Sequence, residues 1–310
     1  MSRVPLIPGA ALLLALVFPM RSAAAQRGRS SDRDYRSAID TSFAFDRGGT
    51  LSVGLNDGTI VVTGWSRDQI RVHATSDDDA IRFDASASRA TLEVPGYRGG
   101  GDARFEVTVP VGVRVIARTQ SGDVSVTGTK GEVEVHTQSG DIHLADALDR
   151  VAATTLSGDL EASALSGDVQ LHTVSGDVTL DGLNGELESE SVSGTIAVRH
   201  AVSRSIRAHT TSGDVEYDGT IDPNGRYELV THSGDVKLTI PVGASAQLSV
   251  STWSGTIDSD FPITLRPGEH GIGSGQAKRL TFEIGSGGAR INAETFSGDI
   301  TISSTGRRNR

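Results

Sequence analysis

Cysteine is absent from this sequence. A chain without cysteine has no disulfide framework, no thiol nucleophile and no cysteine-ligated metal site. Aromatic residues make up only 5% of the chain, which leaves little material for a sugar-stacking platform. Helix-period patterns are scarce, whereas β-branched residues dominate the apolar runs and glycine is abundant, with 37 residues. These features predict an all-β protein whose stability comes from packing alone.

Basic residues are also in short supply, 29 against 39 acidic ones, so the formal net charge is −10. Nucleic acids and anionic lipid surfaces are bound through basic patches. We therefore expect no nucleic-acid partner for this acidic chain.

One tripeptide, Ser-Gly-Asp or Ser-Gly-Thr, recurs throughout the chain. It begins at Ser121, Ser139, Ser157, Ser166, Ser175, Ser193, Ser212, Ser233, Ser254 and Ser297. Most successive copies are 18 to 21 residues apart, with two gaps of 9 and one of 43. A near-fixed period of this size is typical of stacked repeat architectures.

Each tripeptide lies between two alternating apolar patterns whose parity changes across it. Val133, Val135 and Thr137 alternate before Ser139, and Ile142 and Leu144 alternate after it. Period-two alternation indicates a strand with one buried face, and a change of parity turns the apolar set outward unless the chain bends. Glycine, aspartate and serine favour such bends. We predict a corner that joins two strands facing one core, with these structural corner residues: Gly122, Asp123, Gly140, Asp141, Gly158, Asp159, Gly167, Asp168, Gly176, Asp177, Gly194, Gly213, Asp214, Gly234, Asp235, Gly255, Gly298 and Asp299.

A looser second corner lies between successive tripeptides, for example at residues 130–132 and 184–186. Where the gap shrinks to 9, we expect the tripeptide to occupy both corners. Residues 56–59, Asn-Asp-Gly-Thr, resemble a degenerate first corner. A coil with two short strands cannot bury its apolar face alone and must stack on its neighbours. The predicted fold is therefore a β-solenoid, or β-helix, of stacked two-strand coils of about 18–21 residues.

The N-terminal residues 1–25 have the pattern of a signal peptide: Arg3, a short apolar run and Ala23-Ala24-Ala25. The run is too short to span a bilayer, so we expect no membrane-spanning segment in the mature chain. The protein is then exported, and is periplasmic, on the cell surface or extracellular. The remaining predicted segments are a flexible polar lead-in at 26–39 and a β-solenoid domain at 40–303, followed by a basic tail at 304–310. Within the domain we predict irregular N-terminal coils at 40–110, regular Ser-Gly-Asp coils at 111–259, a loop at 260–279 and a terminal coil at 280–303.

The corner aspartates form a column with two interpretations. One is a Ca²⁺ ladder, because like charges at the ~4.8 Å spacing of stacked strands are unfavourable unless they are hydrated or bridged by a cation. However, Thr195 and Thr256 replace aspartate in two corners. Threonine is a poor substitute for a carboxylate ligand but forms hydrogen bonds with turn backbone. We interpret the aspartates as turn-forming and predict no metal site and no cofactor.

Candidate catalytic groups do not form a recognisable constellation. His136, His172 and His209 share a column, but the intervening residues Thr154 and Glu190 separate the imidazoles by roughly 10 Å, too far for a shared metal. Neither a single strained nucleophile elbow nor a clustered carboxylate pair is evident. We predict that the chain is not an enzyme and has no catalytic residue.

Trp253 is the one candidate binding contact. It precedes its corner serine by one residue, so strand parity predicts that its side chain points outward. An exposed tryptophan is a weak indication of a binding surface.

Three features together carry a family resemblance: the Thr-x-Ser-Gly-Asp-aliphatic corners, the Val-Pro-Val-Gly turn at 109–112 with its counterpart at 240–243, and the closing segment 295–302. Over roughly residues 40–303 the chain resembles the bacterial putative-adhesin family. The resemblance implies an exported β-solenoid domain of unknown function at the cell envelope and supplies no catalytic residues.

We therefore expect a non-enzymatic, adhesin-like binding or scaffolding module at the bacterial cell envelope, with an envelope protein or a glycan as its partner. A polysaccharide-active β-helix enzyme and an envelope-stress-associated sensor module are the alternatives. Self-association is a further alternative, because the exposed strand edges of a terminal coil can pair with those of a second copy.

Overall fold

The computed structural model describes residues 35–36, 38–77, 80–94, 102–262 and 278–305. Within these ranges the chain forms β-strands and no helix, which confirms the predicted all-β class. The strands are β1 (Tyr35–Arg36), β2 (Ala38–Ala44), β3 (Thr50–Trp65), β4 (Gln69–Ser76), β5 (Ile81–Ala85), β6 (Arg89–Glu93), β7 (Ala103–Pro110), β8 (Arg114–Thr127), β9 (Val133–Ser139), β10 (Ile142–Ala145), β11 (Val151–Ser157), β12 (Leu160–Ser175), β13 (Val178–Ser193), β14 (Ile196–Val202), β15 (Ser205–Ser212), β16 (Val215–Gly219), β17 (Arg226–Ser233), β18 (Val236–Pro241), β19 (Ala246–Ser254), β20 (Ile257–Ser259), β21 (Lys278–Ile284), β22 (Ala289–Ser297) and β23 (Ile300–Thr305). In the part of the chain so described, no helix has the length and apolarity needed to cross a membrane.

Most strands pair in parallel with the strand one repeat further along the chain. Val133 of β9 lies beside Val151 of β11, which lies beside Val169 of β12. Beyond the corner, Val124 of β8 lies beside Ile142 of β10 in the same way. We call each pair of strands joined at a Ser-Gly corner a rung. Adjacent rungs thus present equivalent residues to each other, at the ~4.8 Å distance of paired strands.

The apolar residues of every rung face a common interior. Val124, Ile142, Val178 and Val236 belong to one file of strand partners, and each is at most 1% exposed. Complete burial of such a side chain contributes about 1.5–3 kcal/mol. Because each file is continuous through the stack, every rung buries its apolar residues against its neighbours.

The two 9-residue gaps correspond to a second corner. Residues 166–168, Ser-Gly-Asp, lie beside residues 184–186, Asn-Gly-Glu, in the pairing of β12 with β13. The tripeptide at Ser166 therefore occupies the position that a looser turn takes in the next rung. At the other end of the repeat, Asp57 and Gly58 lie beside Ser121 and Gly122, so β3 also bends at an equivalent corner.

The spatial order of the rungs departs from chain order at the C-terminal end. β22 lies between β17 and β19, and β23 lies between β18 and β20. Two features of the pairing bear on the predicted terminal coil at 280–303. Leu280 belongs to β21, which runs antiparallel to β19, and the rung formed by β22 and β23 is enclosed on both sides. The repeat pattern does not give this order, because every rung presents the same register to any neighbour.

The N-terminal end contains one regular rung and several antiparallel pairings. β3 pairs in parallel with β8 on one side and with β6 and β7 on the other, within the region expected to be irregular. β2 runs antiparallel to β4, and β4 runs antiparallel to β7. Since β2 begins at Ala38 and Ile39 is buried, the described end of the predicted 26–39 lead-in is part of the sheet.

Four predicted segments fall wholly or largely outside the described residues. They are the signal peptide at 1–25, most of the lead-in at 26–39, most of the loop at 260–279 and most of the basic tail at 304–310.

Candidate functional site

The Ser-Gly corners bring the backbones of adjacent rungs close together at the glycine. Gly158 has a φ of +138°, and a Cβ placed on it would lie 2.2 Å from the carbonyl oxygen of Gly140 in the neighbouring rung. Both the backbone angle and the contact exclude other residues there. A Cβ would meet a neighbouring carbonyl oxygen at 1.9–2.3 Å at the other predicted corner glycines as well: Gly122, Gly140, Gly167, Gly176, Gly194, Gly213, Gly234, Gly255 and Gly298.

The corner aspartates link adjacent rungs through side chain-to-backbone hydrogen bonds. Oδ1 of Asp123 accepts the backbone N–H of Asp141 at 3.0 Å, and Oδ1 of Asp141 accepts that of Asp159 at 2.9 Å. Bonds of 2.7–2.9 Å join five further acceptor–donor pairs: Asp159–Asp177, Asp177–Thr195, Asp214–Asp235, Asp235–Asp299 and Asp299–Thr256. We call this series the aspartate ladder. Threonine can take part in the aspartate ladder because the residue that bonds to each aspartate side chain contributes only its backbone N–H.

The ladder accounts for one carboxylate oxygen of each acceptor aspartate. The N–H of Thr256 lowers the pKa of Asp299, because this hydrogen bond stabilises the charged carboxylate. Asp168 lies at a second corner, and its neighbour in the next rung is Glu186. Within the described residues, no group of three or more histidine, aspartate or glutamate side chains is placed to hold a metal ion.

An exposed row of side chains runs along the stack just before the corner serines. At every tripeptide except the second corner at Ser166, the residue two before the serine is buried and the residue one before it is exposed. Since the serines of adjacent rungs are in register, the outward residues form one continuous row. We call the following part of that row the ridge: Leu156, Val174, Val192, Thr211, His232, Phe296 and Trp253. Its five large apolar side chains are 46–55% exposed.

Three rings stack at one end of the ridge. The ring centroids of His232 and Phe296 are 4.9 Å apart at an interplanar angle of 12°. Those of Phe296 and Trp253 are 5.9 Å apart at 7°. This order depends on the position of β22 between β17 and β19, which puts Phe296 between the other two rings. Because the rings face one another, Phe296 presents its edge, not its face, to solvent.

A groove of about 700 Å³ runs beside the ridge across six rungs. Its opposite wall is the next outward row: Thr154, His172, Glu190, His209, Val230 and Glu294. One wall is thus mainly apolar and the other mainly polar, an arrangement suited to an amphipathic partner.

The histidines of the predicted column lie on this polar side but do not form a common site. His136, His172 and His209 are separated by one intervening rung each. His172 lies 3.5 Å from Glu190, and His209 lies 3.5 Å from Glu228. Each imidazole therefore has a carboxylate neighbour of its own and is partly exposed to solvent.

Two carboxylates converge on the outer face beyond the corner. Lys237 Nζ lies 3.2 Å from Asp214 Oδ2 and 2.9 Å from Glu216 Oε1. The hydrogen bond to Glu216, followed by the contacts with Asp214, raises the pKa of Lys237. Lys237 therefore holds the two carboxylates in an ion triad, unlike the open carboxyl pair that glycoside hydrolysis uses.

Sequence reasoning identifies Trp253 alone among the ridge residues, and the structure places it 53% exposed on the ridge. It misses Leu156, Val174, Val192 and Phe296. The signal was present, because each occupies the same outward position before a corner serine. The residues at that position, compared across the repeats, are predominantly large and apolar from Leu156 onward.

Comparison with known proteins gives one family match. A family model described as Toastrack DUF4097 matches residues 49–303, from the rung of β3 to that of β23. The sequence matches none of the curated proteins. A solved structure of a putative cell adhesion protein from Clostridium sporogenes is 9% identical, with a TM-score of 0.24 over 86% of this chain and 100% of that chain. A putative adhesin from Bacteroides fragilis is 11% identical, with a TM-score of 0.40 over 87% of this chain and 98% of that chain. Similarities of this size do not establish a shared function.

Proposed function

Because the chain belongs to the Toastrack DUF4097 family, we propose that it is an exported β-solenoid that acts as a non-enzymatic, adhesin-like binding or scaffolding module at the bacterial cell envelope. The ridge and its groove are the contact surface. The partner is an envelope protein or a glycan.

The solenoid part of the proposal is supported by the regularity of the pairing. Equivalent residues of neighbouring rungs pair in register through the regular part of the repeat, for example Ser157 with Ser175 and Ser175 with Ser193. The arrangement of two strands per rung, joined at a glycine corner, is a second observation that supports this part of the proposal. A stack of this kind presents a long regular surface, which suits binding or scaffolding.

The observation that carries the binding function is the ridge. Single exposed apolar side chains are normal on soluble proteins, but contiguous exposed apolar patches mark interaction sites. Leu156, Val174 and Val192 are about half exposed and lie on consecutive rungs, and Phe296 and Trp253 extend the row. A partner that covered this row would remove apolar surface from water.

A polysaccharide-active enzyme remains the second candidate, and an envelope-stress sensor module the third. The ion triad of Asp214, Glu216 and Lys237 favours the non-enzymatic proposal over the glycan-active enzyme, since the two convergent carboxylates share one ammonium group. A sensor module would use the same ridge and differ in its partner.

Three purified forms of the mature chain test the proposal: the unmodified protein, the ridge variant V174S/V192S and the control variant L148S/V202S. The control removes apolar side chains that are 46% and 55% exposed but lie outside the ridge. Each form is applied to envelope fractions of the source bacterium and to a glycan array. We expect the ridge variant to lose at least about tenfold in binding and the control to retain it.

Equal binding by the ridge variant would contradict the proposed contact surface. Release of reducing ends from an array hit, abolished by a single acidic substitution, would favour the glycan-active enzyme instead.

A further inference from the structure

We propose that the ridge binds a basic amphipathic helix of a partner protein, lying along the stack with its apolar side on the ridge. The inference rests on the proposed function. It narrows the class of partner from an envelope protein or a glycan to one kind of protein segment. Three observations carry it: the charges that flank the ridge, the spacing of its side chains and the arrangement of its rings.

The ridge has acidic side chains on both sides. On the corner side, Asp159 and Asp177 are exposed, and each uses Oδ1 as an acceptor in the aspartate ladder. Neither forms an ion pair with a basic side chain in the described part of the chain. On the groove side, Glu190 and Glu294 are exposed.

Two basic side chains lie toward the aromatic end of the ridge. Lys237 binds Asp214 there, and the side chain of Lys278 donates to the carbonyl oxygen of Gly255. Beside the apolar stretch from Leu156 to Val192, Asp159 and Asp177 have no ion-pair partner among the described residues, whereas Glu190 lies 3.5 Å from the imidazole of His172. A cationic partner complements this pattern, because opposite charges at a rim steer association and favour the correct partner.

The spacing of the ridge suits a helix better than an extended chain. Its side chains recur once per rung, at ~4.8 Å. A helix parallel to the stack repeats its apolar face once per turn, at ~5.4 Å, and can place one apolar side chain near each rung. An extended chain in the same direction repeats each face at ~6.7 Å and loses register after about two rungs. Six rungs span ~24 Å, the length of a helix of about 16 residues.

The rings and the charges argue against two other occupants. Sugars bind aromatic side chains through exposed ring faces, whereas Phe296 has its faces covered by His232 and Trp253. A second copy of this chain would bring the same acidic flanks, including Asp159 and Asp177, against each other. A partner helix carrying lysine or arginine beside its apolar face avoids both difficulties.

The test uses the full mature chain and a fluorescein-labelled, terminally blocked 16-residue probe of leucine and lysine, arranged so that all leucines lie on one helical face. One control peptide has the same composition in strict alternation, and a second has glutamate in place of lysine. Binding is measured by fluorescence anisotropy over a range of salt concentrations.

Two pairs of protein variants complete the design. V174S/V192S removes apolar side chains from the ridge, and L148S/V202S is its control. D159N/D177N removes charge beside the ridge while leaving an amide Oδ1 that can accept the ladder hydrogen bonds. D149N/D168N removes two charges at second corners and is its control.

We expect the helical probe to bind the unmodified chain, with V174S/V192S at least about tenfold weaker and both controls unchanged. D159N/D177N is expected to bind about three- to tenfold more weakly and with a smaller dependence on salt. The alternating and glutamate peptides are expected to bind at least about tenfold more weakly than the helical probe.

Absence of probe binding would overturn the inference, as would equal binding of the alternating peptide or an equal loss in L148S/V202S. If the probe fails while envelope binding still depends on Val174 and Val192, only the helix inference is wrong. If neither the probe nor the envelope fraction depends on these residues, the proposed function fails with it.

Discussion

Thr256 donates its backbone N–H to Oδ1 of Asp299 at 2.7 Å, although the two residues are 43 positions apart. Asp299 in turn donates its own N–H to Oδ1 of Asp235 at 2.9 Å. Two rungs that are consecutive in the chain are therefore separated by a third, formed by the last described strands. The contacts of this rung are among the most non-local in the stack, since Asp299 and Asp235 are 64 positions apart.

Engineered disulfides report this order directly, because the chain has no native cysteine. Ser297 lies beside Ser233 on one side and Ser254 on the other. We expect S233C/S297C and S254C/S297C to form disulfides on mild oxidation, since adjacent rungs place Cα atoms at ~4.8 Å, within the range that a disulfide spans. S233C/S254C is expected to remain reduced, because two rungs separate the residues by ~9.6 Å. Non-reducing peptide mapping distinguishes the three variants. A disulfide in S233C/S254C alone would indicate that the rungs are stacked in chain order instead.

Substitution of a corner glycine is expected to destabilise the fold far more than substitution of a glycine in an open turn. Gly158→Ala places a methyl group 2.2 Å from the carbonyl oxygen of Gly140 at a φ of +138°. We expect a loss of about 2–4 kcal/mol in the free energy of unfolding, from backbone strain and overpacking together. Gly243→Ala is the control, because its Cβ would meet nothing within 4 Å. Denaturant unfolding followed by circular dichroism measures both, and equal effects would contradict the role given to the corner.

The sequence predicts which residues of each rung are buried better than it predicts the spatial order of the rungs. Periodicity locates buried residues such as Val124 and Ile142, because alternation follows directly from strand geometry. It does not place Phe296 between His232 and Trp253, because any rung offers the same hydrogen-bonding edge to any other. The sequence does not predict antiparallel strands such as β21 either, because they pair with the stack but do not contain the tripeptide.

The ridge was partly predictable, in contrast to the rung order. Strand parity marks the position before Ser254 as outward, which identifies Trp253. The conclusion that Leu156, Val174 and Val192 form a continuous apolar surface needs the register as well, since exposure of a single valine carries no functional information.

The inward threonines that lie two before eight of the ten corner serines offer a matched pair of substitutions. Thr231 Oγ1 donates to the carbonyl oxygen of Gly213 at 2.8 Å, whereas the buried Thr155 Oγ1 has no hydrogen-bond partner among the described residues. Thr231→Val is expected to cost about 1 kcal/mol in the free energy of unfolding, because it removes a buried hydrogen bond. Thr155→Val is expected to be neutral or stabilising, because it replaces a buried unpaired hydroxyl with a methyl group of similar size. Chemical denaturation of both variants checks the difference, and a larger loss for Thr155→Val would be inconsistent with this hydrogen-bonding pattern.

The hydrogen bond from Thr256 to Asp299 makes stability depend on pH in acid. The backbone N–H of Thr256 lowers the pKa of Asp299 below its unfolded value of ~3.9. A lowered carboxyl pKa contributes stability above the unfolded pKa, and that contribution is lost as the pH falls through the folded pKa. Asp299→Asn keeps an oxygen acceptor for Thr256 but cannot titrate. We therefore expect the difference in melting temperature between the unmodified chain and Asp299→Asn to be constant from pH 7 to pH 5 and to shift in favour of the variant below about pH 4. Asp168→Asn, at a second corner outside the aspartate ladder, is the control for removing one carboxylate. If the melting temperatures of Asp299→Asn and the unmodified chain differed by the same amount down to pH 2, the hydrogen bond from Thr256 would not distinguish the charged carboxylate from a neutral acceptor.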